Sequence, residues 1–388
     1  MKREELDLER ISADEERGIE TLMLNMGPQH PSTHGVLRLL LELDGEVIVR
    51  CEPHIGYLHT GIEKECEYRT YHQVIPLIDR MDYLSAPNEE MGYVLAVEKL
   101  LKIEAPKRAQ YIRVLCCELG RIASHLVWLA TAALELNVSS LFMYCFRDRE
   151  EILDLFEMIS GARMFPRYFR IGGVMRDLPR GFEGAVRSFI RDFRPHLREY
   201  HGLLTRNLIW RARTEEIAVI TAEQCFEYAV TGPILRATGV EYDVRRAFPY
   251  SAYSDFDFEI PTRKEGDAYA RYLVRMAEME QSLRIIEQVL DKLPDGPVMV
   301  EDRAISKPHP HKGLFVPEGE AYVTIESPRG EKGYWVVADG SNKPLRVRMR
   351  SPSFANTQAL PVMVEGGYLA DTVVAIASID PVLGDVDR

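Results

Sequence analysis

The chain has 388 residues, with 48 Lys and Arg against 60 Asp and Glu, a formal charge of −12. A hydrophobic share of 46% and a charged share of 28% describe a globular chain with a large core, which excludes disordered, collagen-like and coiled-coil classes. The acidic balance argues against general nucleic-acid binding, and six cysteines without a C-x-x-C pair exclude zinc ribbons, thioredoxin motifs and cluster-binding runs.

The charged N-terminus has no apolar stretch behind it, so no secretory leader is expected and the thiols are expected to be free. No window approaches the ~18 uninterrupted apolar residues of a spanning helix. Membrane association is therefore expected only through a partner. Residues 1–19 are charged and aperiodic and predict a flexible lead-in. Residues 20–60 predict an N-terminal β layer. Alternation over Glu20–Met26 leads into the loop Gly27-Pro28-Gln29-His30-Pro31-Ser32-Thr33-His34-Gly35. Two apolar runs, Val36–Leu43 and Glu46–Cys51, then flank Asp44-Gly45, a hairpin signal.

Residues 61–297 predict a helix bundle. Helical stretches are expected over Ser85–Leu101, Pro106–Asn137, Asp148–Ile159, Gly181–Leu203 and Gly266–Leu293. Ile112, Leu115, Leu119, Ile122, Leu126, Leu129 and Ala133 give the second of these an apolar stripe about 45 Å long. Gly161 and Pro294-Asp295-Gly296-Pro297 are stop signals. Residues 298–388 predict a C-terminal β/loop region, with strands at Ala321–Glu326, Gly333–Ala338 and Leu345–Met349 and a closing stretch at Asp371–Arg388. The fold class expected is α+β, mainly α.

Four segments are candidates for chemistry. His30 and His34 stand four apart in a Pro-bounded loop; loop packing and a metal pair are both open, but no third ligand is near. Arg80-Met81-Asp82-Tyr83-Leu84-Ser85 precedes a helix, where Asp82 or Ser85 suits the N-cap. Glu118, Arg121, His125 and Glu135 share the long helix, as a solvated or ion-paired face. Glu326-Ser327-Pro328-Arg329-Gly330-Glu331 reads as a turn between strands. No nucleotide-binding glycine pattern and no nucleophile elbow is present.

Taken together, these segments resemble one family. Gly27–Arg38, Gly56–Lys64, Arg80–Leu84, Glu118–Leu126, Tyr168–Val174, Asp339-Gly340-Ser341 and Asp380–Arg388 are similar, in order, to blocks of the 49 kDa-type (or D) subunit of NADH-quinone oxidoreductase, respiratory complex I. The resemblance covers about residues 20–388. It implies a fold like that of the nickel-iron hydrogenase large subunit, a helix bundle between two β layers that returns to the site near its C-terminus. Hydrogenases hold their metals with the cysteine pairs of R-x-C-G-x-C and D-P-C-x-x-C. Here Asp82, Ser85, Val382 and Asp385 occupy those four positions. Without thiolates, no metal is expected.

The resemblance further implies three partners from the same complex, its B, C and H subunits. A quinone-reduction cavity is expected beside the 4Fe–4S cluster of the first, with the H subunit in the membrane and the C subunit on the outer surface. The expected location is the cytoplasmic face of a bacterial inner membrane. His34 and Tyr83 are implied as the catalytic pair, supported by His30, Asp82, Glu135, Asp380 and Val382. Arg80, Arg121 and Phe165 are implied to lie near the partner's cluster. Three departures stand out. Glu135 takes the place of the usual Asp, Phe165 that of a usual His, and the segment Met299–Phe315 is short, with His309 and His311 in a linker. Other readings are the same site fed by another donor such as ferredoxin or a reduced deazaflavin, a non-catalytic scaffold, and a hydrogenase-type enzyme, which the missing thiolates disfavour.

Overall fold

A computed structural model describes residues 9–10, 21–30, 35–308 and 313–388. His34, His309 and His311 lie outside the described residues. Two larger antiparallel sheets and one two-stranded ribbon accompany a helical centre, in agreement with an α+β, mainly α class.

The first sheet orders β1 (Glu9–Arg10), β2 (Leu22–Met26), β3 (Arg38–Asp44) and β4 (Val47–His54) side by side. β1 falls within the stretch expected to be a lead-in, and pairs through Glu9↔Met23 and Arg10↔Leu22. The β3–β4 hairpin closes at Asp44↔Val47, with Gly45 at φ 61 in the turn. Leu39, Leu41 and Leu43 alternate into the core, as a strand's two-residue period requires. They meet residues far along the chain, namely Leu360, Ile376, Ile379, Leu383 and Val386.

Short helices α1 (Ile62–Cys66) and α2 (Tyr71–Ile78) lead to α3 (Ala86–Leu101), α4 (Lys107–Glu135) and α5 (Ser139–Ser160). The two-residue strands β5 (Phe169–Arg170) and β6 (Gly173–Val174) separate these from α6 (Phe182–Leu204). Four short helices follow, α7 (Leu208–Ala212), α8 (Ala222–Glu227), α9 (Pro233–Arg236) and α10 (Val244–Ala247), and then the long α11 (Ala268–Lys292) and short α12 (Arg303–Ser306). α4 is apolar and long enough to cross a membrane, but 89% of its most apolar window is buried inside the chain. It is the central strut, packed between α3, α5, α11 and a later helix.

α5 begins nine residues before the expected Asp148. The Arg-Asp-Arg run there looks like a helix start, but Asp148 is buried as the acceptor of the Tyr200 hydroxyl, while Leu141 and Cys145 carry the apolar stripe upstream. The second sheet, β7 (Gly319–Ser327), β8 (Gly330–Ala338) and β9 (Pro344–Arg350), lies on α3. Gly92 permits this contact, because a Cβ there would stand 2.5 Å from the Tyr334 ring.

Four helices close the described chain: α13 (Pro352–Gln358), α14 (Leu360–Val364), α15 (Leu369–Ile379) and α16 (Leu383–Asp387). Asp371–Ile379, grouped above with the β/loop region, thus lies in a helix. A short apolar run reads alike in a buried strand and a buried helix, and only the packing separates them. Trp128 of α4 donates to the Ala377 carbonyl at 2.8 Å and holds α15 against the strut. All six cysteines are free and buried.

Glu90 of α3 is fully enclosed and accepts the Phe169 N–H at 2.8 Å. Burial, opposed by that N–H, pushes its carboxyl up to about 8. The folded chain therefore keeps a proton that the unfolded chain releases near pH 4.5, so this group makes stability fall as pH rises from about 4.5 to 8. Glu90→Gln is expected to gain on the natural chain across that window, with the two converging below pH 4.5. Thermal unfolding at stepped pH measures the gap.

Candidate functional site

The turn that precedes α3 and the end of α15 meet around one guanidinium. Arg329, in the tight β7–β8 turn, has no solvent exposure. Its Nη1 donates to both carboxylate oxygens of Asp82, at 3.2 and 3.1 Å, and to the Ser124 hydroxyl. Its Nη2 donates to Asp380 at 3.1 Å. Asp380 caps the C-terminus of α15 in a left-handed conformation, φ 51, which turns its carboxylate back toward Arg329. Burial alone would strip the charge from Arg329, but Asp380 and Asp82 outweigh it and raise its pKa. For Asp82 the balance goes the other way. Burial raises its pKa despite Arg329, helped by the neighbouring Asp385 and Asp380.

A second buried cation lies beside the first. Lys332 of β8 is enclosed, 3.1 Å from Glu89 of α3 and in contact with Asp385 of α16. Burial works against the Lys332 charge, and Asp385 and Glu89 outweigh it. Burial likewise pushes on Asp385, but Lys332 holds its carboxyl below the usual range. Glu89 is pushed up to about 7 by burial, against the pull of Lys332.

Tyr83 stands at the edge of these pairs. It is half-buried and faces an open cleft of about 490 Å³ lined by Leu58, Thr60, Ile62, Leu77, Arg80 and Gly384 among others. Burial raises the phenol above its usual range, so it remains a hydroxyl donor at neutral pH.

The structure brings together Asp82, Tyr83, Asp380 and Arg80, with Val382 buried at the start of α16. Ser85 sits at the α3 N-cap position, but its hydroxyl accepts from the Asn88 side chain at 2.6 Å and does not cap. Glu135 is half-buried at the far end of α4, about 16 Å along the helix from Ser124. His30 is exposed. Gly35, the first described residue after His34, packs on Leu383 of α16, where a Cβ would stand 3.6 Å from Cδ1. Phe165 is half-buried in the segment after α5.

Glu118, Arg121 and His125 form an ion-paired interior and not a solvated face. Glu118 receives Arg121 at 3.2 Å, Arg245 at 3.1 Å, and the Tyr253 and Ser282 hydroxyls at 2.7 Å each. Burial pushes against its charge, but the two arginines keep its pKa low. Glu278 of α11 accepts from His125 at 2.9 Å and from Arg236 at 2.7 Å, and Arg236 reaches on to Glu326 at 2.8 Å. Arg121 is thus enclosed within this chain. Among the described residues, no three His, Cys, Asp or Glu side chains are grouped as metal ligands.

Lys332 and Glu89 do not stand out in the sequence as site residues, and Arg329 appears there only within a candidate turn. One signal is present. Lys332 lies in phase with Tyr334, Val336 and Ala338, the buried face of β8, so its side chain has to point inward.

The family described as respiratory-chain NADH dehydrogenase, 49 Kd subunit, matches residues 135–388. A protein of Protochlamydia amoebophila, named as the D subunit of NADH-quinone oxidoreductase, is 53% identical over 397 residues, covering 98% of each chain. The protein of the same name from Geotalea uraniireducens is 51% identical over 386 residues, covering 95% of this chain and 99% of its own. From Chloroflexus aurantiacus, a protein named as the second D subunit of the same enzyme is 53% identical over 389 residues, with 95% of each chain covered.

Arg329→Met leaves Asp82 and Asp380 buried without their cation, and is expected to cost about 3–5 kcal/mol. Adding Asp82→Asn and Asp380→Asn is expected to recover most of that loss. Denaturation midpoints of the single and triple variants measure both effects.

Proposed function

The chain belongs to the 49 kDa subunit family of respiratory-chain NADH dehydrogenase, and we propose that its Tyr83 cleft is where the assembled complex reduces quinone. The observation that carries this reading is the Tyr83 phenol itself. It is held protonated at the mouth of an apolar-sided cleft, above a floor of locked ion pairs.

In this reading Tyr83 donates a hydrogen bond to one carbonyl of the quinone headgroup and His34 to the other. Electrons arrive from the 4Fe–4S cluster of the partner B subunit. Quinone takes up two electrons and two protons to become quinol. Negative charge grows on the two oxygens during reduction, and donors already placed there stabilise it. The phenol and the imidazole supply the two protons and are reprotonated from water. Glu135 orients His34 and favours its charged form. Asp82, Asp380, Val382 and His30 support the cavity, and Arg80 contributes positive charge toward the cluster, whereas Arg121 is enclosed and paired with Glu118.

The H subunit closes the cavity from the membrane side, and the C subunit packs on the outer surface. The complex sits on the cytoplasmic face of a bacterial inner membrane. Proton translocation takes place in the membrane partners.

Tyr83→Phe removes one donor and is expected to lower quinone reduction about 100-fold. The rate is measured in the assembled complex and normalised to NADH oxidation by a water-soluble acceptor. Undiminished quinone reduction would sink the assignment.

Phe165 neither ionises nor donates a hydrogen bond, so the partner's cluster is expected to have a low potential with little pH dependence. Phe165→His is expected to raise that potential and move its slope toward about 59 mV per pH unit. A redox titration of the complex at several pH values reads both.

A further inference from the structure

The back wall of the Tyr83 cleft is held by an ion cluster that the proposed chemistry does not use. Lys332 gathers three elements onto one ammonium: its own strand β8, Glu89 of α3 at 3.1 Å, and Asp385 of α16. All three side chains are fully enclosed. Tyr334 donates to Glu89, and Asp385 also accepts the Ser353 N–H at 3.2 Å.

The five residues of α16 are too few to make a helix stable by itself. External ties hold it. Asp385 is bound to Lys332. Two residues on, Asp387 accepts the N–H groups of Gly56 at 2.8 Å and Leu58 at 2.7 Å. Its carbonyl contacts His59 Nδ1 at 2.7 Å.

Gly384 sits next to the Lys332 tie. A Cβ at Gly384 would stand 2.5 Å from the Met81 carbonyl and 3.2 Å from Tyr83 Cε1. The backbone of α16 is therefore the surface against which the Tyr83 ring rests. Leu58 and Gly384 both line the cleft, so α16 braces it from two sides.

We infer that Lys332 is a positioning residue for Tyr83, seating α16 through Asp385 and so setting the shape of the cleft. Without the ammonium, Glu89 and Asp385 are two buried carboxyls with no cation between them, so at least one takes up a proton and the tie that Lys332 makes to α16 is lost. The short helix is the element free to yield. The inference rests on the reading of this cleft as the quinone site.

The test is Lys332→Met in the assembled complex. The KM for quinone is expected to rise roughly tenfold, a loss of about 1.4 kcal/mol, with kcat falling less. Backbone amides of residues 383–388 are expected to exchange hydrogen faster. Should that variant not assemble, Asp385→Asn, which leaves Lys332 paired with Glu89, is expected to loosen the same segment and raise KM. Natural exchange rates at 383–388 would overturn the inference whatever KM does. Faster exchange with an unchanged KM would overturn it too. Tyr83→Phe separates the two failures. If it abolishes quinone reduction while Lys332→Met changes nothing, the cleft reading stands and the role of Lys332 falls.

Discussion

The site depends on the pairing of Arg329 with Asp82 and Asp380 inside the protein. It ties together three distant stretches, the turn before α3, the β7–β8 turn and the end of α15. An isolated ion at such depth is very unfavourable, so taking away one partner strands the charges of the others. The pairing places Asp82 against the floor of the cleft and thereby sets the adjacent Tyr83 at its edge. Lys332 repeats the device a few residues further on, with Glu89 and Asp385.

These pairs also give physical content to the hydrogenase frame. Two of the positions that frame assigns to thiolates, Asp82 and Asp385, carry carboxylates, and the cations they face are side chains of the same protein. Carboxylates that neutralise an arginine and a lysine have little left to offer a metal. The interior around α4 continues in the same style, through Glu118, Arg121, Arg245, Arg236, Glu278 and Glu326. The polar side of the strut faces this network, and α3, α5, α11 and α15 all pack against the helix, which accounts for a helix of membrane-spanning length enclosed in the chain.

Much of the scaffold is legible in the residues. Alternation, the Asp44-Gly45 pair and the helical stripe of α4 are local patterns, and each produces the expected element. The misplaced parts have a common cause. The start of α5 is signalled by a charged run whose Asp148 and Arg149 are in fact buried, and α15 is an apolar run whose partner, Trp128, is some 250 residues away. In both cases the deciding contact is tertiary. At the site, a motif points to Asp82 and Tyr83 but not to the cation that holds Asp82, because a surface turn and a buried ion pair look alike in a Ser-Pro-Arg-Gly segment. Lys332 is legible in principle, since a strand period assigns it to the inner face.

By itself the sequence determined the class of fold, the β3–β4 hairpin and the long central helix, the family, and the absence of thiolates from the hydrogenase frame. The first two follow from residue type and local spacing, and the last two from the resemblance of whole motifs to a known family. Only the tertiary structure decided which charges are enclosed, which carboxylate meets which cation, and that α16 forms the wall behind Tyr83. The physical reason is that ion pairing in an interior is set by three-dimensional proximity and by the loss of water. Neither can be read from positions 82, 329 and 380 along a chain.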